Sequence, residues 1–327
     1  MNLNQWRQRD IVTTLFIGGS GRSGSTILGR MLGQVSGFTF VGELDLLWQQ
    51  GLVENRLCGC GVPFRTCDFW SEVGERAFAG WESLPLDEVR ELAGAVSRHR
   101  YLPFTVAPKV WPDYARRLDR HSELLGRVFD GIREAAKCDV VVDSSKFPVW
   151  AYLLRHIRNV DLRLLHLVRD SRAVAYSWAK TVVEPGVPHT QAFMRQLHPA
   201  RSAMHWMAFN AMCHPLKALG VPTLFLQYEA FAQDPFRAMQ QVMRHAGVEP
   251  CAEDLTFLAD GTAALSQDHS IAGNPMRFQT GTVAVRPDTD WKTSMSSQDQ
   301  RVVTALTLPL LVRYGYPTRT RAGGSAS

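Results

Sequence analysis

The stretch from Ile11 to Leu32 constrains this chain more than any other part of its sequence. It opens with an apolar, β-branched run that predicts a buried strand. A loop of small residues from Gly18 to Gly24 follows, and a helix is predicted to begin at Ser25. Backbone N–H groups converge in such a turn, and the helix dipole adds about half a positive charge. The stretch therefore predicts an α/β fold with an anion pocket near its start.

Two familiar nucleotide loops fit this stretch in part. Gly19, Gly21 and Gly24 match the dinucleotide fingerprint G-x-G-x-x-G, and Glu43 lies near the spacing of its ribose-binding acid. Residues 19–26 also nearly match the phosphate loop G-x-x-x-x-G-K-[ST]. Ser25, however, stands at the lysine position, so the β- and γ-phosphates of ATP would lack their main counter-charge.

A third interpretation places the positive charge on Arg22. Its planar guanidinium suits phosphate or sulfate, and Ser23, Ser25 and Thr26 surround it with hydroxyl groups. This combination suits a nucleotide that carries a 5′-phosphosulfate and needs no Mg²⁺. The loop taken alone leaves all three interpretations open.

Composition limits the class of protein. The 327 residues are 45% hydrophobic and 20% charged, which is typical of a globular chain. The sequence predicts a single domain over residues 1–317, with a helical insertion at about 49–137 and a disordered tail at 318–327. It contains neither a transmembrane run nor an apolar leader, so we expect a cytoplasmic protein. The net charge of +5 suits an anionic ligand, but the basic residues form no long run, so nucleic-acid binding is not expected.

Three of the six cysteines cluster at Cys58, Cys60 and Cys67. Such a group can bind zinc, but the sequence offers no obvious fourth ligand, and C-x-C differs from the usual C-x₂-C knuckle. A redox or disulfide role, or reduced cysteines in a structured loop, are the alternatives.

Polar side chains follow several of the predicted strands. Glu43 comes after a strand that ends at Gly42, Lys146 closes the turn after the strand 139–142, and Arg169 follows the strand 162–168. Ser177 lies in the next predicted helix. In open α/β sheets ligands bind at the carboxyl ends of the strands, so these residues are candidates for one site. A long loop from Asp260 to Trp291 is also predicted, and it contains Arg277.

The ordered set of segments resembles the sulfotransferases that use 3′-phosphoadenosine 5′-phosphosulfate (PAPS), over about residues 14–315. The loop Gly-Arg-Ser-Gly-Ser-Thr26 is similar to the arginine type of 5′-phosphosulfate loop found in tyrosylprotein, bacterial and carbohydrate sulfotransferases. Val-Gly-Glu43 has the spacing of a catalytic glutamate, and Asp-Ser-Ser-Lys146 resembles a lysine-bearing turn. The segment from Leu167 to Ser177 is similar to the 3′-phosphate motif.

The resemblance implies a P-loop-like, three-layer fold, with a central parallel sheet of four or five strands and helices on both faces. It also implies transfer of a sulfuryl group from PAPS to a hydroxyl or amine, with no metal required. The acceptor is expected to be a small molecule, a lipid-linked alcohol or a sugar, held by residues 44–120 and 180–215.

The resemblance also implies roles for individual residues. Glu43 is the expected general base, although many relatives use a histidine that this chain lacks in the equivalent loop. Arg22 and Lys146 are expected to stabilise charge on the sulfuryl and bridging oxygens. The expected nucleotide-binding residues are Arg22, Ser23, Gly24, Ser25 and Thr26 for the 5′ end, Arg169 and Ser177 for the 3′-phosphate, and Arg277 for that phosphate or the loop over it.

Three alternative functions remain at the level of the sequence. A P-loop kinase-like phosphotransferase would need Mg²⁺ ligands and a phosphate-loop lysine. A dehydrogenase would bind a nicotinamide dinucleotide through the glycine fingerprint. A nucleotide-binding module would bind adenosine 3′,5′-bisphosphate without turnover.

Overall fold

The structure is a computed structural model that describes residues 11–184, 186 and 192–318. The strands in these ranges are β1 Val12–Gly18, β2 Phe38–Gly42, β3 Val140–Lys146, β4 Val160–Val168, β5 Val183–Glu184, β6 Ala192–Phe193, β7 Thr223–Gln227, β8 Leu258–Ala259, β9 Thr262–Leu265 and β10 Gly281–Ala284. The polar first ten residues and residues 319–327 of the predicted tail lie outside these ranges, so the proposed domain limits stay a prediction.

The α-helices in the same ranges are α1 Ser25–Leu32, α2 Asp68–Phe78, α3 Leu86–Val96, α4 Leu102–Val106, α5 Pro112–Ala136, α6 Pro148–Leu154, α7 Ser171–Ala179, α8 Pro199–Ala218, α9 Tyr228–Gln233, α10 Pro235–His245, α11 Trp291–Ser294 and α12 Ser297–Arg313. A π-helix covers Leu47–Val53, and 3₁₀-helices cover Leu44–Leu46, Phe64–Thr66, Trp81–Ser83, His99–Tyr101, Pro108–Val110, Glu253–Leu255 and Pro275–Phe278. None of these helices combines the length and hydrophobicity that a bilayer-spanning helix needs.

Five parallel strands form the central sheet in the order β2-β3-β1-β4-β7. Strand β1 lies in the middle, where Thr14 pairs with Val141 on one side and with Leu162 on the other. The carboxyl ends of β1 to β4 therefore meet at one edge. This arrangement confirms the predicted α/β class with a parallel sheet of four or five strands.

Successive side chains of β1 point to opposite faces of the sheet. Because most of these side chains are apolar, helices pack against both faces. Phe16 belongs to a core that includes Phe129 of α5. Leu15 belongs to a second core, which includes Leu28 of α1 and Met239 of α10. The continuous apolar run of β1 thus reflects burial on both faces, as is typical of a parallel sheet.

Two predictions from the sequence need correction. The segment from Asp260 to Trp291 is not a plain loop, since β9 and β10 pair antiparallel within it and β8 extends their sheet. Strand β3 does not end at Val142 but continues to Lys146, because Lys146 pairs with Gly18 at the end of β1. Pairing partners distant in the chain decided both cases, and local composition gives no signal for them.

His121 of α5 makes stability sensitive to acid. Its ring is fully buried, and neither ring nitrogen has a hydrogen-bond partner among the described residues. Burial lowers its pKa from 6.5 to about 4. The unfolded chain therefore binds the proton first, so this contribution to stability is complete above about pH 6.5 and is lost as the pH falls toward 4.

His121 is expected to lower the unfolding free energy by about 3 kcal/mol as the pH falls through that range, at about 1.4 kcal/mol per pH unit. We expect His121→Leu to abolish this part of the decrease. Urea unfolding of both proteins at several pH values measures the difference. His166 is buried with the same direction of pKa shift, so the variant keeps part of the slope. An identical slope in the two proteins would contradict the role of His121.

Candidate active site

The loop between β1 and α1 is packed tightly by its glycines. Gly19 has φ 131°, and a Cβ there would lie 2.4 Å from the carbonyl oxygen of Leu167. Gly24 has φ 88°, and a Cβ there would lie 2.4 Å from the ring of Tyr228. Gly24 is also the N-cap of α1, and no side chain among the described residues caps that helix. The N–H groups at the start of α1 are therefore available to an anion.

Arg22 projects from the middle of this loop. Its backbone is left-handed, with φ 68°, which costs a non-glycine residue about 1 kcal/mol. The guanidinium lies 4.9 Å from the centroid of the Trp178 ring, and Nη2 lies 3.2 Å from Sδ of Met194. Its buried Nε has no hydrogen-bond partner among the described residues. Burial lowers the pKa of Arg22, and the charge of Glu43 opposes that shift. The guanidinium stays charged at neutral pH because arginine is so strongly basic.

Glu43 and Lys146 form an ion pair at the carboxyl ends of two neighbouring strands. Lys146 Nζ donates to Oε1 of Glu43 and also to the carbonyl oxygen of Ser144, at 2.9 Å. The two side chains are only 13% and 14% exposed, so solvent screens the pair weakly. Lys146 has a left-handed backbone, with φ 65°, at the end of β3. A carboxylate and an ammonium group are thus held together at the surface of one cavity.

Two further carboxyl groups lie behind this pair. Asp143 is buried and accepts hydrogen bonds from Trp150 Nε1 at 2.7 Å and from the N–H of Ser145 at 2.8 Å. Burial raises its pKa to about 6. Burial, followed by the charges of Glu43 and Asp143, raises the pKa of Asp45 well above its usual 3.8. Of these three carboxyl groups, Glu43 is the one bonded to a cation.

Arg169 follows β4 and contacts the loop directly. Its Nη1 donates to the carbonyl oxygen of Arg22 at 3.0 Å, and its Nη2 donates to Oδ2 of Asp288 at 2.8 Å. The guanidinium also lies 4.8 Å from the ring centroid of Tyr228, while its buried Nε has no partner among the described residues. Burial raises the pKa of Asp288, but the charge of Arg169, the hydrogen bonds from Asp290 N–H and from Arg169, and the charge of Lys180 together outweigh burial, so the net pKa is lowered. The carboxylate of Asp288 therefore occupies the Nη2 position of the Arg169 guanidinium.

Eight of the ten residues predicted for the site line one cavity of about 730 Å³. They are Arg22, Gly24, Ser25, Thr26, Glu43, Lys146, Arg169 and Ser177. Ser23 belongs to the same loop but is buried, with 1% of its surface exposed. Arg277 is also buried and donates to the carbonyl oxygens of Ser270 at 2.8 Å and of Leu57 at 2.7 Å. Arg277 thus holds the wall of the cavity together and does not line it.

The other half of the cavity is largely apolar. Its walls include Leu46, His99, Phe147, Trp178, Met194, Leu197, His205, Phe209 and Met276. The rings of Phe147 and Phe209 lie 5.3 Å apart, and His99 stacks on Phe209 at 5.8 Å. Several of these residues belong to the predicted acceptor regions, of which residues 185 and 187–191 lie outside the described residues. The sequence did not indicate Asp288, because no local pattern links it to an arginine 119 positions away.

Comparison with known proteins gave similar structures but no similar sequences. No family model matches the chain, and no curated protein matches it. The sulfotransferase domain from the curacin biosynthetic pathway is 16% identical, with a TM-score of 0.49, over 94% of this chain and 99% of that chain. The sulfotransferase domain from the Synechococcus PCC 7002 olefin synthase is 18% identical, with a TM-score of 0.44, over 94% and 96%. A sulfotransferase from Alicyclobacillus acidocaldarius is 13% identical, with a TM-score of 0.39, over 93% and 96%. This chain is thus similar in structure to several sulfotransferases, at low identity.

Proposed function

We propose that this protein is a sulfotransferase that moves a sulfuryl group from PAPS to a hydroxyl or amine. The observation that carries the proposal is the pair Arg22 and Arg169, which line one cavity and are joined through the carbonyl oxygen of Arg22. Each keeps a buried Nε–H without a partner among the described residues. Two guanidinium groups at one sheet edge suit a nucleotide with anionic groups at both its 5′ and 3′ ends.

The proposed step is an in-line displacement at sulfur. The acceptor oxygen or nitrogen forms a bond to sulfur, while the bond from sulfur to the 5′-phosphate oxygen breaks. The acceptor proton passes to the carboxylate of Glu43, and the leaving adenosine 3′,5′-bisphosphate keeps the electron pair. Positioning and charge stabilisation dominate such a transfer.

Each residue of the site has a role in this proposal. Arg22 and the N–H groups at the start of α1 bind the 5′-phosphosulfate, with the hydroxyls of Ser25 and Thr26. Arg169 and Ser177 bind the 3′-phosphate. Lys146 leaves Glu43 as the acceptor enters and stabilises the charge that develops on the bridging oxygen.

The apolar half of the cavity supports an acceptor with an aromatic or aliphatic part. Phe147 and Phe209 line the same cavity as Glu43 and Lys146, and their rings lie 5.3 Å apart. Aromatic faces also bind sugars and hydrocarbon chains. We therefore propose a small-molecule, lipid-linked or carbohydrate acceptor.

Titration calorimetry with adenosine 3′,5′-bisphosphate, AMP and ATP tests the nucleotide site. We expect the bisphosphate to bind most tightly and Arg169→Ala to weaken it by about 100-fold, because charged hydrogen bonds to the 3′-phosphate are lost. AMP lacks that phosphate, so its affinity is expected to change little. ATP binding as tight as bisphosphate binding, with a dependence on Mg²⁺, would favour the phosphotransferase alternative.

Asp288→Asn is the matched variant, and it is expected to change bisphosphate affinity in the opposite direction. The neutral amide no longer competes with the 3′-phosphate for Arg169, so we expect bisphosphate binding to tighten by about 5-fold, the size of a partly exposed ion pair. The effect should disappear in the Arg169→Ala background. A weakened affinity in Asp288→Asn would show that the carboxylate assists binding and would contradict this part of the proposal.

A further inference from the structure

Three cysteines and one distant histidine converge outside the proposed active site. Cys58, Cys60 and Cys67 lie in the segment between the π-helix and α2. A bridge between Leu57 and Pro63 closes a loop that contains Cys58 and Cys60, and Cys67 follows the next 3₁₀-helix. His269 belongs to the segment after β9 and comes to the same point. The four potential ligand atoms all lie within 4.8 Å of one another. The fourth ligand that the sequence did not reveal is therefore present.

Four of the six separations between the ligand atoms are close to the edges of a tetrahedral metal site. Sγ of Cys67 lies 3.6 Å from Sγ of Cys58, 3.6 Å from Sγ of Cys60 and 3.3 Å from Nδ1 of His269. Sγ of Cys58 lies 3.8 Å from the same Nδ1. Zinc bonds of about 2.3 Å to sulfur and about 2.0 Å to nitrogen give tetrahedral edges of roughly 3.5–3.8 Å. A disulfide needs a sulfur–sulfur distance of about 2.05 Å, so these thiols are not bonded to each other.

We propose that Cys58, Cys60, Cys67 and His269 bind one Zn²⁺ ion. Three thiolates and an imidazole are soft and borderline ligands, which favour zinc over magnesium or calcium. Four protein ligands complete the tetrahedron and leave no position for water or substrate, as in structural zinc sites. The ion would thus be structural and separate from the proposed sulfuryl transfer, for which no metal is expected.

Neighbouring groups hold the ligands in place. Phe69 stacks on the ring of His269 at 4.8 Å, and Trp70 Nε1 donates to the carbonyl oxygen of His269 at 2.8 Å. The N–H of Gly59 donates to the carbonyl oxygen of Ser270 at 3.0 Å. Cys58 and Cys67 are almost fully buried. Such outer contacts orient ligands and keep solvent from the metal.

The proposed site links the cysteine segment to the segment after His269, of which Ala272 and Gly273 line the active-site cavity. Ile271 lies two residues after His269. Its N–H donates to the carbonyl oxygen of Val41, and its carbonyl oxygen accepts from the N–H of Glu43, both at 2.8 Å. Arg277 binds the carbonyl oxygens of Leu57 and Ser270, and so spans the same two segments. A metal ion at this point would fasten the cysteine loop to the strand end that carries Glu43.

Elemental analysis of the full-length protein tests the site. We expect one equivalent of zinc per chain after exhaustive dialysis, and loss of that zinc in Cys67→Ser and in His269→Ala. Cys251→Ser is the matched control, because Cys251 is exposed and does not belong to the cluster, and it should retain one equivalent. Zinc retained by both ligand variants, or no zinc in the wild type after reconstitution, would overturn the proposal.

Cobalt substitution gives a readout that does not depend on how the variants fold. Wild-type protein stripped by a chelator and loaded with Co²⁺ should show intense tetrahedral d–d bands and a thiolate-to-cobalt charge-transfer band. Weak octahedral bands would overturn the proposal. Thiol titration of the denatured, chelator-treated protein should find all six cysteines free, and two missing thiols would indicate a disulfide in place of the metal. Bisphosphate affinity, measured in parallel, depends on Arg22 and Arg169 and tests the proposed function separately.

Discussion

Replacing Glu43 with glutamine is expected to lower kcat by about 10²- to 10⁴-fold, the usual contribution of a general base. The amide keeps the size of the side chain but cannot take the acceptor proton. We expect the affinity for adenosine 3′,5′-bisphosphate to stay within about 3-fold of the wild type, because the nucleotide contacts Arg22 and Arg169 in this proposal. Transfer from labelled PAPS, with an acceptor found by screening apolar alcohols and amines, measures the change.

Two further variants make this result specific. Glu249 follows α10, and its exposed carboxylate pairs with Arg244 of that helix. The variant Glu249→Gln should keep full activity. His205→Asn tests another candidate base, since His205, like His99, also lines the cavity. If Glu43→Gln kept full activity and His205→Asn lost it, the histidine would be the base and the assignment of Glu43 would be wrong.

Replacing Lys146 with methionine is the second change with a large expected effect. The variant removes the ammonium group that is proposed to stabilise the bridging oxygen, so kcat is expected to fall by about 10²- to 10³-fold. It also leaves the largely buried carboxylate of Glu43 without its cation. Steady-state kinetics with the same labelled donor, together with calorimetry, separate the effect on turnover from the effect on binding.

The ratio of these two effects identifies the role of Lys146. Charge stabilisation confined to the transition state lowers kcat and leaves bisphosphate affinity nearly unchanged. An equal loss in affinity and in kcat would show instead that Lys146 acts by binding the nucleotide. Lys217→Met, at an exposed position near the end of α8, is the matched control and should leave both quantities unchanged.

Local patterns in the sequence were sufficient to predict much of the fold. The alternation of apolar runs and amphipathic segments agrees with the parallel sheet that the family resemblance implied, and the region 49–137, expected to be helical, contains the long helix Pro112–Ala136. The glycines of the first loop predicted its tight backbone, since Gly19 and Gly24 have left-handed or strained φ values. Hydrophobic period and glycine placement are short-range properties, so a single sequence reveals them.

The sequence by itself thus determined the fold class and eight residues of one cavity, because parallel strands bring their carboxyl ends to a common edge. Only the tertiary structure decided which side chains pair across that edge. It set Asp288 against Arg169, buried Arg277 between two carbonyl groups, and brought His269 to the cysteines. These partners are separated by long stretches of chain, and packing alone determines which of them meet. No local periodicity encodes such contacts, whereas the apolar runs that form the buried strands follow directly from the pattern of the chain.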